Sequence, residues 1–434
     1  GNTGNPSTGA NPIATIDLTE GDWLPYLGYS SSYSANFGQD GTFSGQETSG
    51  GNSDANGIGD FMFAVPTNCL ALCTSNMAEP TIGPNSATQA DDHFNTVLYT
   101  GDGNNSRTVT GVGFQPDWLW IKRRDGDNSH VLVDSSRGSG SNDSLLSLLS
   151  NVSDAEYDLN DHVRSLDSDG FTLDDDTDNT VATNNNSQTY VAWNWKANGG
   201  TTSSNSDGTT TSTVQANTTA GFSILLYTGN ATAGATIGHG LGKAPKWVIT
   251  KARSGAYSWL VGHDELASDA WTDAVLLDTN GAVSDSNLFW NDTAPNSSVI
   301  TLGGAYNPVN GNNVTYVMYA FAEIEGYSKF GSYIGNGNAN GAFVYTGFRP
   351  ALIIIKQTNS TNNWRIIDNK RDGYNGSTKV MFPSVSNAEG SEVGADLLSN
   401  GFKLRADTAG TNASGGTFIY MAFAEAPFKF SNAR

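Results

Sequence analysis

Along most of the chain, apolar residues either alternate with polar ones or stand several together in short runs, and Gly, Asn, Asp or Ser bounds each run. A period of two puts every second side chain on one face of a strand. AWNW (Ala192 to Trp195), MYAF (Met318 to Phe321) and YMAF (Tyr420 to Phe423) are therefore expected to be strands with one buried face. DWLWIK (Asp117 to Lys122) and ALIIIK (Ala351 to Lys356) are apolar on both faces, as a central sandwich strand is. Only the stretch from Ser141 to Asp154 has helical spacing, and one short helix or an apolar plug is expected there.

The same blocks return three times in one order. DWLWIK, KWVITK and ALIIIK follow Pro116, Pro245 and Pro350, and each ends on a lysine: Lys122, Lys251 and Lys356. A Tyr-x-Gly beginning at Tyr99, Tyr227 and Tyr333 precedes the prolines by 17, 18 and 17 residues. Downstream, HVLVD (from His130) matches WLVGH (from Trp259) and WRIID (from Trp364); DGFTL, SVITL and NGFKL then coincide before the closing strand.

Repetition at this period marks copies of one supersecondary unit. The expected architecture is all-β: tandem β-sandwich, jelly-roll-like domains with little helix. The repeats span 94–198, 221–326 and 327–434. Residues 199–220, rich in Gly, Ser and Thr, read as a flexible linker, so repeats two and three are expected to pack together while the first moves more freely. Residues 1–77 form a further region with strand-like alternation, and 78–93 a polar, Pro-containing linker.

Composition narrows the function classes. With 22 Lys and Arg against 43 Asp and Glu the formal charge is −21, which argues against a nucleic-acid partner, since a polyanion is held by a basic face. No apolar run approaches the ~18 residues of a membrane span, so no membrane insertion is expected. The two cysteines, Cys69 and Cys73, exclude a disulfide framework and are expected to be buried core thiols. The chain opens GNTGNPSTGANP without an initiator Met and is expected to be part of a longer polypeptide.

Each candidate for chemistry has a structural alternative. Lys122, Lys251 and Lys356 with Arg123 could hold an anion, but a lysine ending a strand is expected to reach solvent. Trp118 and Trp120 could stack on a sugar, yet the matching Trp247 with Ile249 and Leu352 with Ile354 keep only a core, so core packing is preferred. Asp134 with Arg137 and Asp368 with Arg371 suggest a weak loop ion pair, absent from repeat two, where His263 and Leu266 stand. Asp174, Asp176 and Asp178 have the early spacing of a calcium loop, the one metal candidate, but Asn179 and Asn185 replace the Gly and Glu it needs; a solvated acidic loop is preferred. His93, His130, His162, His239 and His263 share no metal spacing, and no nucleophile elbow, phosphate loop or zinc signature occurs. No catalytic residue is nominated and no other cofactor is expected.

VLYTGDG, GVGFQPDWLWIKRRDGDNSHVLVDSSRG, DSDGFTL, YVAWNWKANGG and FAEAPFKFSNAR together resemble structural proteins of tailed bacteriophages, especially marine and cyanobacterial ones, over about Thr81 to Arg434. GNPSTGANP, NFGQDGTF and PTNCLAL resemble the last strands of a SPRY-type, lectin-like β-sandwich, with Asn68 and Cys69 where a Gly-aromatic pair is common. The resemblance implies a non-enzymatic virion protein located in the tail or fibre: a receptor-binding adhesin. Its implied partners are other virion proteins, further copies of itself, with a trimer as one form, and a host surface glycan or protein. Two alternatives remain, a capsid-decorating or neck fibre and a tailspike polysaccharide depolymerase.

Overall fold

A strand that is apolar on both faces needs a covering layer on each side, and the three repeats supply these layers to themselves and to one another. The computed structural model describes residues 36–426, apart from 67–68, 74–75, 77–79, 84–85, 141–143, 160, 176–180, 267–268, 373–374, 377, 393 and 408. Two compact units result, Gly1–Glu79 and Pro80–Arg434. The described residues are nearly all strand and turn, as expected.

In the first repeat β1 (Phe94–Thr100), β2 (Arg107–Thr110), β3 (Trp118–Arg123), β4 (Val131–Asp134), β5 (Leu148–Leu149), β6 (Val163–Asp167), β7 (Gly170–Leu173) and β8 (Thr189–Trp195) form two antiparallel sheets. The main sheet has the order β1-β8-β3-β4-β5 and the cover sheet β2-β7-β6. Alternation along β3 divides its side chains between two cores. Leu119 and Ile121 meet Val133, Phe171 and Leu173 inside the repeat, while Trp118 and Trp120 point away into a core to which all three repeats contribute.

Residues 199–220 are not a flexible linker. They carry β9 (Ser203–Asn205) and β10 (Ser212–Asn217), which extend the main sheet of repeat two. Ser and Thr alternate with Val214 there, and the buried Val214 supplies the apolar face that composition had masked. The glycine-rich start is held as well: Asp117 accepts the backbone N–H groups of Ala197, Gly199 and Gly200 at 2.7, 2.9 and 2.8 Å. Repeat one therefore does not move freely, and packs against both sisters.

Repeat two comprises β11 (Phe222–Thr228), β12 (Thr236–Gly238), β13 (Trp247–Ala252), β14 (Leu260–His263), β15 (Asp273–Leu276), β16 (Ser284–Asp285), β17 (Val299–Thr301) and β18 (Thr315–Phe321). Its main sheet runs β16-β15-β14-β13-β18-β11-β10-β9, with the cover pair β12-β17. Repeat three comprises β19 (Ser328–Ile334), β20 (Phe343–Tyr345), β21 (Pro350–Gln357), β22 (Arg365–Asp368), β23 (Lys379–Val380), β24 (Gly390–Ser391), β25 (Ala395–Leu398), β26 (Gly401–Leu404) and β27 (Thr417–Ala424). Its main sheet is β19-β27-β21-β22 and its cover sheet β20-β26-β25. The strand order of the first main sheet thus recurs in the second and third.

The shared core is aromatic. Trp118 stacks on Tyr319 of repeat two at 4.4 Å between ring centroids, Phe321 of repeat two meets Phe423 of repeat three at 5.9 Å, and Phe94 of repeat one stacks on Phe423 at 5.3 Å. Every pair of repeats is thus in direct contact.

The expected helix near Ser141 to Asp154 is absent from its described residues, which form β5 and two isolated bridges, Ser139 with Leu145 and Ser147 with Tyr157. Leu148 and Leu149 are instead buried as β5 pairs on β4, which fits the alternative expectation of an apolar plug. The two α-helices among the described residues are single turns, Asn287–Trp290 and Ala409–Asn412.

In the other unit residues 1–35 lie outside the described residues, and with them GNPSTGANP of the SPRY-like motifs, whereas NFGQDGTF and PTNCLAL apart from 67–68 are described. What is described there is turns and one isolated bridge, Asn52 with Phe61. Cys69 is exposed and Cys73 half-buried, both free. They are not buried core thiols: among the described residues of this unit the segment runs as turns that leave both thiols accessible.

Candidate functional site

The lysines that end the repeated central strands do not reach solvent. Lys122, Lys251 and Lys356 are fully buried. Each ammonium instead donates to backbone carbonyls: Lys122 to Arg123 and Gly126, Lys251 to Ser153 and Tyr257, and Lys356 to Asn280, Gln357 and Asn362, all at 2.7–3.2 Å. Burial lowers Lys122 to about 7 and the other two to about 8. A neighbouring repeat meets two of these strand ends, since Lys251 reaches a carbonyl of repeat one and Lys356 one of repeat two, whereas Lys122 is held by carbonyls of its own repeat.

The Asp-x-x-Arg pairs are also buried, with no side-chain exposure at Asp134, Arg137, Asp368 or Arg371. They are joints between repeats and not weak surface pairs. Arg137 Nε lies 2.5 Å from Asp134 Oδ2, which also accepts from Tyr319 of repeat two at 2.7 Å. Arg371 Nε lies 2.6 Å from Asp368 Oδ2, which accepts from the Trp193 indole of repeat one at 3.1 Å. Glu156 binds Arg137 and Arg253, and Glu389 binds Arg371 and Arg124, so both acids bridge guanidinium groups of two repeats.

Three backbone bonds repeat the same relation around the molecule. Glu156 N–H donates to Arg253 O at 2.9 Å, Val283 N–H to Thr358 O at 2.8 Å, and Glu389 N–H to Arg124 O at 2.8 Å. Repeat one thus holds two, two holds three, and three returns to one.

The remaining candidates are separate. Asp174 is buried and paired with Arg164 at 2.9 Å, while Asp176 and Asp178 lie outside the described residues. Among the described residues no group of three or more His, Cys, Asp or Glu is placed to hold a metal ion. The five histidines are buried in five different places. Burial lowers the pKa of His93, His130, His239 and His263. Trp118 and Trp120 have no exposed surface, as the core reading expected.

One repeated residue escaped the sequence reading. Asn184, Asn310 and Asn412 are fully buried, and each side-chain amide donates to two backbone carbonyls of its repeat. The signal was a fixed interval of six residues to the aromatic that opens the closing strand: Tyr190, Tyr316 and Phe418. Beside each asparagine, Thr183, Val309 and Thr411 accept through their carbonyls from Tyr99, Tyr227 and Tyr333 of the Tyr-x-Gly motifs at 2.7–2.8 Å.

With these groups consumed by packing, a pocket with charged residues in its lining is built among the described residues by a single repeat. It lies in repeat three, has a volume of about 490 Å³, and is lined by Asn362, Arg365, Glu392, Arg405, Asp407 and Gly410 among others. A family profile described as "Domain of unknown function (DUF7483)" matches residues 89–427. The chain belongs to this family. The DUF7483 match begins just before β1 and runs past β27, so the family unit is the closed set of three repeats and not one of them. No curated protein matches the chain.

Proposed function

We propose that this DUF7483 protein is a non-enzymatic structural component of a tailed-phage particle, a tail fibre or receptor-binding subunit that contacts the bacterial surface. The observation that carries this reading is the circular set of joints. Buried Lys, Arg, Asp and His side chains, the residue types catalysis would use, are spent on locking three sandwiches together. Such a body is stiff, and its connecting loops are left to vary and to bind. The phage-like motifs from Val97 to Gly200 support the same reading.

Its partners are then other virion proteins, further copies of the chain and a host surface glycan or protein. Labelling purified particles with an antibody against the chain tests the location. Label at the tail is expected; label on the capsid or neck would replace this reading with a decorating fibre. Release of oligosaccharide from host capsule or lipopolysaccharide by the purified chain would instead make it a depolymerase.

A further inference from the structure

The three repeats are internal controls for one another, and a residue that only one of them carries at an equivalent place is not required by the shared fold. Repeat three departs from its sisters at four such places on one side of its sandwich. On the outward face of β20 stand Phe343 and Tyr345, 46% and 64% exposed. The buried residue between them, Val344, corresponds to Val109 and Ile237, so the sister positions are Thr108 with Thr110 and Thr236 with Gly238. Threonine and glycine keep the strand in the sister repeats, so the shared fold does not require the rings.

The third departure lies behind the cover sheet. Arg365 on β22 is buried where repeats one and two place Val131 and Leu260. The fourth accommodates it. Counting from the repeated asparagines, Gly410 corresponds to Ala182 and Pro308, and a Cβ at Gly410 would come within 1.7 Å of the Arg365 guanidinium carbon. The arginine and the glycine therefore occur together, and only here. Arg365 Nε donates to Glu392 at 2.9 Å, and its Nη1 donates to Asn363 O and Gly410 O at 3.0 and 3.2 Å. The result is the 490 Å³ pocket, within the ~300–1,000 Å³ usual for small-ligand sites.

Pocket and rings form one track. Phe343 pairs with Lys403 and Tyr345 with Gly401 on β26, and Arg405, two residues beyond Lys403, lines the pocket. At about 3.4 Å per residue the distance from Tyr345 to the pocket is on the order of 15 Å, the span of a few linked sugar rings.

We propose that this side of repeat three is an oligosaccharide-binding site, with the Phe343 and Tyr345 rings as a stacking platform and the Arg365–Glu392 pair as the polar end. The chemistry selects this ligand class. Aromatic faces pack on the apolar faces of pyranose rings, and a guanidinium beside a carboxylate offers adjacent donor and acceptor to a vicinal diol. The proposal deepens the adhesin reading and rests on it.

The test applies the full-length chain to an array of purified bacterial surface polysaccharides. The wild type is expected to bind at least one of them. Phe343→Thr/Tyr345→Thr, which installs the residue of repeat one at both positions, is expected to weaken that binding at least tenfold with the thermal midpoint unchanged. Arg365→Lys is expected to weaken it as well, since it keeps the charge but loses the planar fork. No binding by the wild type, or binding by the threonine variant within twofold of wild type, overturns the proposal. Particle labelling away from the tail would sink the adhesin reading alone, leaving the array result standing.

Discussion

His130 Nε2 lies 3.1 Å from the carbonyl oxygen of Phe382, 252 positions along the chain, and this contact closes the circle of repeats. Trp259 makes the same contact with Leu149 O at 2.9 Å and Trp364 with Leu276 O at 2.8 Å. The imidazole replaces an indole for a packing reason. Behind His130 stands Trp120, whose sisters are the smaller Ile249 and Ile354, so volume lost at one position is recovered at the other. Trp120 Nε1 donates to His130 Nδ1 at 2.9 Å, which leaves Nε2 to carry the proton and donate to Phe382.

This compensation predicts a non-additive pair. His130→Trp alone overfills the site and is expected to destabilise the chain by about 1–3 kcal/mol, and Trp120→Ile alone leaves a cavity and orphans the imidazole nitrogen. The double variant recreates the pair found in the sister repeats and is expected to recover most of the loss. Urea denaturation of the four proteins measures the coupling; simple additivity would show that the two positions do not share one space.

The same imidazole makes stability depend on acid. Burial holds His130 well below its usual pKa and His263 down to about 3, whereas an unfolded histidine titrates near ~6.5. Below that pH the unfolded chain takes up protons that the folded chain refuses. Stability is therefore expected to fall as pH drops from about 6 toward 3, by up to ~1.4 kcal/mol per pH unit for each histidine, in addition to any carboxylate effect. Denaturation midpoints at pH 7, 5 and 4 check this, and the double variant of Trp120 and His130 should lose one histidine's share of the slope.

Strand positions and the core were legible because they rest on local periodicity. WLWI was read as apolar on both faces, and Trp118 and Leu119 do fill different cores. Circular closure was not legible, since it depends on which carbonyl meets which donor across repeats. The lysines were misread for that reason: nothing local to Lys356 says that Asn280 of another repeat covers it. β10 was hidden because a polar strand added to a sheet edge has the composition of a linker. The third repeat's departures were visible in the alignment of repeats, but Arg365 and Gly410 acquire meaning only once they touch.

Removing one of the buried ammonium groups tests that correction. Lys356→Met keeps the length of the side chain and takes the ammonium donor from the carbonyls of Gln357 and Asn362, while Asn280 O keeps the Asn362 N–H at 2.9 Å. A loss of about 2–4 kcal/mol is expected, because unsatisfied buried acceptors cost more than the bond that is lost. A lysine exposed at a strand end would change stability by no more than ~0.5 kcal/mol when replaced. Chemical denaturation distinguishes the two outcomes.

Trp118→Ala reports on cooperativity as well as on packing. The indole is fully buried, meets Trp195 of its own repeat at a tilt and stacks on Tyr319 of repeat two, so truncation is expected to cost ~3–5 kcal/mol. In a chain of independent sandwiches that loss would fall on repeat one alone, and calorimetry would show one shifted transition beside two unchanged ones. The shared aromatic core and the three interlocking carbonyl contacts instead couple the repeats. The region Pro80–Arg434 is therefore expected to unfold in one transition in the wild type, and in one transition at a lower temperature in the variant. Two or more transitions from this region would show that the joints hold the repeats in place without making their folding interdependent.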